Sequence, residues 1–277
     1  MLGWIADGSN DVRQRPQAGT GPKTIRLMTY NVHRCVGLDG RHAPQRIAEI
    51  IALQNPDIVA LQELETGHPR TGRVDQAQVI AAILKVDFHY HAARQRGEAR
   101  FGNAIFSRLP MRKIHSAILP TLPQIPLQTR GALWVAIRVG KEEVQLINTH
   151  LGLLHRERFL QAGALCSKDW IAHPLYQGQP RVLCGDFNAT TASRVYRLFM
   201  DSLTDARSLM PSRVGRTWPS VLPLFRYDHI FVCPRFRIHR VSVPKTPLTV
   251  LASDHLPVVA DVEITDATLS DASSRSG

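Results

Sequence analysis

Acidic and amide side chains follow a short apolar run in the second half of the 277-residue chain. The run at 181–184 is typical of a buried strand, and Gly185-Asp186-Phe187-Asn188 comes directly after it. A glycine turn with an acid and an amide one residue apart presents oxygen ligands at the carboxyl end of a strand, where open α/β sheets bind their ligands. Taken alone, the same residues could form an Asx turn that caps a helix.

The same arrangement recurs along the chain. Polar side chains lie at the ends of several predicted strands, and the full set is Asn31, Glu63, His150, Asp186, Asn188, Asp228, Asp254 and His255. Carboxylates directed at one point repel each other unless a cation lies among them. Mg²⁺ prefers oxygen ligands and binds through one or two carboxylates together with water and substrate phosphate. The repetition therefore favours a divalent-metal site over a set of unrelated turns.

Strands outnumber helices among the elements that must position these side chains. Apolar patterns predict strands at 24–32, 57–63, 88–91, 102–107, 130–137, 143–150, 181–184, 226–232, 236–243 and 256–264. Helical spacing predicts helices at 44–54, 75–85, 155–171 and 193–200. Each half repeats the order strand, polar end, helix, strand, polar end. This order indicates two sheets packed face to face with helices outside, rather than one doubly wound sheet.

The composition is that of a globular protein, with 44% hydrophobic and 21% charged residues. We expect one domain at 24–264 between disordered tails at 1–23 and 265–277. The four cysteines contain no Cys-x-x-Cys pair, so we expect reduced thiols in the core. The first residues do not resemble a signal peptide, and no stretch is apolar enough to span a membrane. We therefore expect a cytoplasmic protein.

The chain is strongly basic, with a formal net charge of +11. The two tails contribute charges that cancel, so the excess belongs to the middle of the chain. A basic folded domain is typical of proteins that meet nucleic acid, phospholipid head groups or a phosphorylated metabolite. The charge could also serve solubility alone.

Six short motifs together resemble the endonuclease/exonuclease/phosphatase (DNase I-like) superfamily. In chain order they are Met28-Thr29-Tyr30-Asn31-Val32, Leu61-Gln62-Glu63, Asn148-Thr149-His150-Leu151, Gly185-Asp186-Phe187-Asn188, Asp228-His229-Ile230 and Ser253-Asp254-His255. They occur in the family's order and span most of the expected domain. The stretches around Arg130 and Thr217 are similar to a small bacterial subgroup described as metal-dependent hydrolases.

The resemblance implies a fold and a reaction. The fold is a four-layer α/β/β/α sandwich of two mixed sheets with helices outside. The reaction is hydrolysis of a phosphodiester or phosphomonoester by in-line attack of water. The implied cofactor is Mg²⁺, with Mn²⁺ as a possible substitute.

The resemblance also implies residue roles. Glu63 is similar to the family's principal metal ligand, with Asn31 and Asp254 beside it. Asp186 and Asn188 would orient the attacking water or hold the phosphate. Paired with Asp228, His255 would have a fixed tautomer and a more basic imidazole.

Three further residues resemble phosphate contacts in the family. His150 would donate a hydrogen bond to a phosphate oxygen and stabilise charge in the transition state. Arg130 and Asn103 resemble residues that some members place on the phosphate. An ordinary structural role for these last two is equally consistent with the sequence.

The substrate is expected to be a phosphate ester, with nucleic acid favoured. Two groups of arginines could grip a phosphate backbone, namely Arg94, Arg96 and Arg100, and Arg207, Arg213 and Arg216. The same groups could meet an anionic lipid surface, so a phospholipid or glycolipid phosphodiesterase similar to sphingomyelinases is an alternative. A small phosphomonoesterase is another. A non-catalytic phosphate-binding module is the alternative of a different class. No obligate protein partner is evident.

Overall fold

Twelve strands and five α-helices build the described part of the chain. The structure, a computed structural model, describes residues 24–123, 125–176, 178–210 and 214–265. The predicted tails lie outside these residues, apart from Thr265. Within the described residues no helix is both long and apolar enough to cross a membrane.

The strands form two six-stranded sheets. The first has the order β11-β12-β1-β2-β4-β3, with β1 Thr24–Asn31, β2 Ile58–Thr66, β3 Asp87–Arg96, β4 Ala99–Ser107, β11 Phe236–Ser242 and β12 Val258–Ile264. The second has the order β5-β6-β7-β8-β10-β9, with β5 Met111–Ile118, β6 Gly131–Val139, β7 Glu142–His150, β8 Arg181–Asp186, β9 Thr204–Asp205 and β10 Asp228–Val232. The predicted pair of mixed sheets is confirmed.

The helices cover the outer faces of the two sheets. They are α1 Pro44–Gln54, α2 Gln76–Leu84, α3 His155–Leu165, α4 Arg194–Met200 and α5 Pro247–Ala252. Ile47 and Ile80 of α1 and α2 pack in a core cluster with residues of the first sheet. Leu165 and Phe199 of α3 and α4 pack in a second cluster with residues of both sheets, including Trp134. The arrangement is the four-layer sandwich that the sequence predicts.

Two parallel strand pairs bring the polar strand ends to one edge of the sandwich. β1 pairs in parallel with β2, so that Asn31 lies opposite Gln62. β7 pairs in parallel with β8, so that His150 lies opposite Asp186. β10 runs antiparallel to β8 and begins at Asp228, which lies opposite Asp186. Carboxyl ends of parallel strands share an edge, and a strand that starts there adds its first residue to the same edge.

The structure differs from the predicted elements at several places. α3 ends at Leu165 rather than 171, and Phe159 and Leu160 on this helix are exposed. The predicted loop 94–100 is the tip of the β3–β4 hairpin, which turns at Gly97 with φ 59°. β5 and α5 were not predicted.

The cysteines are free, as expected. Cys35, Cys184 and Cys233 are buried, and Cys166 is half-buried. Burial raises the pKa of the Cys166 thiol to about 11, so it is protonated at neutral pH.

A buried charged cluster lies behind β10. The Asp205 carboxylate accepts hydrogen bonds from the Arg207 backbone N–H at 3.0 Å and the Tyr196 hydroxyl at 3.2 Å. It also faces His229 Nδ1 at 3.0 Å and Arg226 at 3.3 Å. Burial alone raises the pKa of Asp205, but the hydrogen bond and charge of His229 and the charge of Arg207 outweigh it and lower the pKa. The folded protein therefore stabilises the charged form of this carboxylate.

The predicted phosphate-gripping role of Arg207 is wrong. Its side chain is buried and donates hydrogen bonds to the backbone oxygens of Gly215 and Asp228. Arg216 is exposed, and Arg213 lies outside the described residues. Arg207 therefore supports the start of β10 from inside the protein.

The Asp205 cluster generates a stability prediction. Asp205→Asn should lower the free energy of unfolding at pH 7 by about 3 kcal/mol, because it leaves buried cations without their counter-charge. Because the pKa of Asp205 is lower in the folded protein than in the unfolded chain, its carboxylate stabilises the fold at pH values above the unfolded pKa of about 4. This contribution is lost as the pH falls through the folded pKa. The difference between variant and wild type should therefore shrink below about pH 4.

Urea denaturation from neutral to acidic pH measures this difference, with the exposed neighbour Asp201→Asn as the control. A variant that unfolds at the wild-type urea concentration at pH 7 would contradict it.

Candidate active site

One wall of the site is formed by the ends of β1 and β2. The ladder between β2 and β4 is irregular between Leu61 and Leu64, and Glu63 has a positive φ of 61° there. A bulge of this kind redirects a side chain away from the regular alternation of a strand. Asn31 Nδ2 donates to Glu63 Oε1 at 3.3 Å and to Asp186 Oδ2 at 2.9 Å. Asn31 therefore joins this wall to the opposite one.

The opposite wall is formed by the ends of β7 and β8. Gly185 has φ 142°, and a Cβ there would collide with the backbone oxygen of Thr149, so the two strands approach too closely for any other residue. Asp186 Oδ1 accepts the backbone N–H of Asn188, which has φ 47°. These residues thus form the Asx-type turn of the alternative interpretation but cap no helix, since α4 begins at Arg194 with Ser193 as its N-cap, and the turn leaves Asp186 Oδ2 facing the cleft.

His150 and His255 both approach Asp186 Oδ2. His150 Nε2 lies 3.4 Å from it and His255 Nε2 lies 3.6 Å from it. Asp228 Oδ2 lies 2.9 Å from His255 Nδ1, so the predicted Asp228–His255 pair is formed. Asp228 is fully buried behind the histidine. Asp186 is therefore the carboxylate on which the two histidines converge.

The loop after α5 is tied to β1. Ser253 Oγ donates to the backbone oxygen of Asn31 at 2.8 Å and accepts the backbone N–H of His255 at 3.2 Å. Asp254 Oδ2 accepts a hydrogen bond from Trp218 Nε1 at 3.2 Å. These bonds hold Asp254 and His255 at the same edge as Asn31.

The two histidines differ in charge. Burial lowers the pKa of His150 well below its ordinary value, and the charges of Arg130 and His255 act in the same direction. Burial also lowers the pKa of His255, but the carboxylates of Asp228 and Asp186 outweigh it and raise the pKa to about 10. His150 is therefore neutral at pH 7 and His255 is an imidazolium.

Arg130 holds the ring of His150 from the Nδ1 side. The guanidinium NH1 lies 3.1 Å from His150 Nδ1. An arginine can only donate, so this contact favours the neutral tautomer with its proton on Nε2, whereas the Asn188 amide Nδ2, also a donor, lies 3.1 Å from Nε2 and favours the other. Burial lowers the pKa of Arg130 against the raising effect of Glu63 and Asp186. The predicted phosphate residue Arg130 thus also orients the histidine.

Burial raises the pKa of Asp186 to about 6, while the positive charge of His255 opposes the shift. A carboxyl group with a raised pKa is a better proton acceptor near neutral pH than an exposed aspartate. Asn188 lies beside it, with Nδ2 at 3.1 Å from His150 Nε2 and donating to Leu151 O at 3.0 Å.

An open cleft of about 720 Å³ joins these residues. It is lined by Asn31, Glu63, Arg130, His150, Asp186, Asn188, Asp254 and His255 from the predicted set. Asn103 does not line it, because this residue is buried and its Nδ2 donates to Gly131 O at 3.0 Å. The lining also includes Arg34, Arg94, Arg158, Trp218 and Tyr227.

Sequence reasoning missed Arg158, Trp218 and Tyr227 as parts of the cleft. Arg158 follows the His150 motif by eight positions, and its place on the first turn of α3 is the signal that could have indicated it. Trp218 is held at the cleft by its bond to Asp254. Arg94 lies over the Phe101 ring at 5.3 Å, whereas Arg96 and Arg100 are exposed and do not line the cleft.

Two groups of side chains could hold a divalent cation. Ligand atoms of Asp186, Asp228 and His255 lie within 4.8 Å of one another. The ring nitrogen of His255 is a weaker ligand for Mg²⁺ than the carboxylate oxygens beside it, because this cation prefers oxygen. Glu63 and Asp254 also face the cleft.

Oxygen ligands of this kind fit Mg²⁺ or Mn²⁺. Glu63 Oε2 accepts no hydrogen bond from the described residues, which leaves that oxygen open to a cation. Asn31 directs its amide nitrogen toward both carboxylates, so the structure shows it as a link between them. Its role as an oxygen ligand stays a prediction.

The arrangement of fold and site defines the class of protein. The model of the Endonuclease/Exonuclease/phosphatase family matches residues 28–255, and the chain belongs to this family. Members of the family are phosphoester hydrolases and are generally dependent on a divalent metal. No curated protein matches the sequence.

Solved structures share the fold at low sequence identity. An endonuclease/exonuclease/phosphatase from Beutenbergia cavernae is 24% identical over 87% of this chain and 72% of that chain, with a TM-score of 0.71. A mannosyl-6-phosphatase from Bacteroides thetaiotaomicron is 20% identical over 86% and 99%, with a TM-score of 0.69. The human Nocturnin catalytic domain with a bound sulfate anion is 22% identical over 88% and 94%, with a TM-score of 0.67. At these identities the likeness concerns the fold.

The site generates a metal-binding prediction. Glu63→Gln should weaken Mn²⁺ binding at least about tenfold, because it removes the carboxylate charge and keeps the side-chain shape. Isothermal titration calorimetry measures this without any substrate. Glu98→Gln, at the exposed hairpin tip, is the control for a lost surface charge. Equal affinities in wild type and Glu63→Gln would rule out Glu63 as a ligand.

Proposed function

We propose that the protein is a divalent-metal-dependent phosphodiesterase that hydrolyses its substrate by in-line attack of water. The observation that carries the proposal is the convergence of His150 and His255 on Asp186 Oδ2, at 3.4 Å and 3.6 Å, inside the cleft. The neutral ring of His150, the imidazolium of His255 and the Asp186 carboxylate, whose pKa is raised, therefore face the same point in the cleft. When bound, Mg²⁺ or Mn²⁺ supplies positive charge that polarises the phosphate.

The attacking water lies beside Asp186 and Asn188 in this proposal. Asp186 accepts a proton from the water as the water oxygen bonds to phosphorus, the phosphorus–oxygen bond to the leaving group breaks, and the leaving oxygen takes a proton from solvent. The carboxylates of Asp228 and Asp186 raise the pKa of His255, so in this proposal its positive charge stabilises the transition state. His150 Nε2–H donates to a phosphate oxygen, with its ring held by Arg130. Asp228 keeps His255 charged and oriented.

A nucleic-acid strand is the first substrate candidate. Arg34, Arg94 and Arg158 line the cleft together with Trp218 and Tyr227. Arginines contact backbone phosphates, and aromatic rings stack on bases with little sequence preference. The chain's net charge of +11 supports an anionic substrate.

A lipid phosphodiester is the second candidate. It is supported by exposed apolar side chains beside the cleft, among them Leu153 and Leu222. A small phosphomonoester is compatible with the open cleft, and one structural neighbour is a mannosyl-6-phosphatase. A non-catalytic phosphate-binding module is the alternative that a hydrolysis assay eliminates directly.

The proposed chemistry predicts the effect of removing the proton acceptor. Asp186→Asn should lower kcat by about 10²- to 10⁴-fold, since the amide cannot accept the proton of the attacking water. Hydrolysis of bis-p-nitrophenyl phosphate with Mg²⁺ measures it, with exposed Asp87→Asn as the control. Wild-type turnover by Asp186→Asn would eliminate this role.

The substrate class is tested in parallel with plasmid DNA, an oligonucleotide containing an abasic site, and sphingomyelin. Cleavage of DNA that falls steeply with added salt is the expected outcome for a nuclease, because each neutralised phosphate releases counterions. Cleavage of lipid but not DNA would remove the nucleic-acid candidate. No cleavage of any phosphoester with Mg²⁺ or Mn²⁺ would overturn the enzymatic proposal.

A further inference from the structure

A group of exposed apolar side chains lies on one side of the cleft. We call it the apolar collar, and it consists of Leu38, Val221, Leu222, Leu224, Phe225 and Leu251. The exposed fractions of these residues run from 38% to 65%. Single exposed leucines are ordinary, but a contiguous apolar group at a functional site marks an interaction surface.

Hydrogen bonds hold the three segments of the collar together. The Leu38 N–H donates to Leu251 O at 2.8 Å. Ser220 Oγ donates to Val250 O at 3.2 Å, and Lys245 Nζ donates to Val221 O at 3.0 Å. The loop after β1, the loop before β10 and α5 therefore form one continuous surface.

The collar is attached directly to the cleft. Trp218 and Phe225 exchange backbone hydrogen bonds, with Phe225 N–H donating to Trp218 O at 2.8 Å and Trp218 N–H donating to Phe225 O at 3.1 Å. The Phe225 ring stacks on Tyr227 with 5.3 Å between centroids and 3° between planes. Trp218 and Tyr227 line the cleft, so the apolar tip at 221–224 projects from its edge. Leu153, which is 68% exposed, lies on the cleft as well.

The charges near the collar are positive. Arg34, Arg216 and Lys245 are exposed, whereas the carboxylate of Asp39 is paired with Arg46 at 2.8 Å. Apolar side chains flanked by cations bind bilayers that carry negative head groups, because apolar burial and electrostatic attraction add. Another protein could cover apolar residues, but apolar side chains together with flanking cations fit both layers of an anionic lipid surface.

We propose that the apolar collar docks this protein on the surface of an anionic lipid bilayer, with the mouth of the cleft directed at the membrane. Leu222 and Leu224 enter the boundary between head groups and acyl chains, and Arg34, Arg216 and Lys245 contact the phosphates. The consequence for catalysis, that phosphoesters at a membrane surface reach the cleft, rests on the proposed function. Docking itself does not.

Vesicle co-sedimentation of the full chain tests the docking. Wild-type protein should sediment with vesicles of phosphatidylcholine and phosphatidylserine and remain in solution with phosphatidylcholine alone. The double variant Leu222→Ser/Leu224→Ser should bind the anionic vesicles at least about tenfold more weakly. Leu53→Ser/Leu175→Ser is the matched control, because those leucines are 69% and 45% exposed and lie on α1 and in the turn before β8.

Each outcome separates docking from chemistry. Hydrolysis of soluble bis-p-nitrophenyl phosphate should be the same in both double variants and wild type, since none of the four leucines lines the cleft. If the wild-type protein hydrolyses the substrate but does not bind vesicles, the docking is overturned and the proposed function stands. If it binds vesicles but hydrolyses nothing, the proposed function is overturned and the docking stands. Vesicle binding that is equal in the collar variant and wild type also overturns the docking. Two other results would also overturn the docking. One is a wild-type dimer in sedimentation velocity that the collar variant does not form, which would make the collar a dimer interface. The other is wild-type protein that binds DNA but not vesicles, together with a collar variant that no longer binds DNA.

Discussion

A buried hydrogen bond between the two sheets sets the geometry on which the site depends. Gln62 Nε2 donates to Asn148 Oδ1 at 2.7 Å, and both residues are fully buried. Asn148 Nδ2 donates in turn to the backbone oxygens of Leu61 and Ala104 in the first sheet, each at 2.9 Å. Sliding one sheet over the other would leave these amide groups unpaired in an apolar core, at a cost of about 1–3 kcal/mol for each group.

The position of this bridge along the chain explains its importance. Gln62 immediately precedes Glu63, and Asn148 lies two residues before His150. A fixed spacing between the sheets therefore fixes the spacing between the two walls of the cleft. Asn31 completes the link at the cleft, since its amide contacts both Glu63 and Asp186. The site is a product of sheet packing rather than of any single loop.

The electrostatic environment then gives the ionisable side chains of the cleft different protonation states. Asp186 lies within 3.6 Å of a neutral and a protonated histidine, and its own pKa is raised by burial. Asp228 does not line the cleft, and its carboxylate contacts His255 Nδ1 instead. This division gives each carboxylate a different environment, which is how one site can hold a proton acceptor and a structural anion at the same time.

The sequence predicted the strand ends well because polar residues after apolar runs have few alternative positions in a sheet. Asn31, Glu63, His150, Asp186 and His255 all reach the cleft as predicted. Residues whose position depends on distant partners were not predictable. Carbonyl oxygens from two other segments accept the donors of buried Arg207, and Asn103 donates to Gly131 on β6 of the opposite sheet.

Lengths of elements were also less predictable than their existence. The β3–β4 hairpin continues through charged residues because an edge strand leaves one side in solvent. Phe159 and Leu160 of α3 lie outside the core although both are apolar. Exposure of this kind depends on the sheet against which a helix packs, which a local pattern does not contain.

Anomalous diffraction from crystals grown with Mn²⁺ tests the central claim most directly. In our proposal Glu63 and Asp254 supply the oxygen ligands, and Asp186 and His255 act on the water and the transition state. We expect an anomalous peak coordinated by oxygens of Glu63 and Asp254. A sole peak among Asp186, Asp228 and His255, with a histidine nitrogen bound to the ion, would contradict that division of roles.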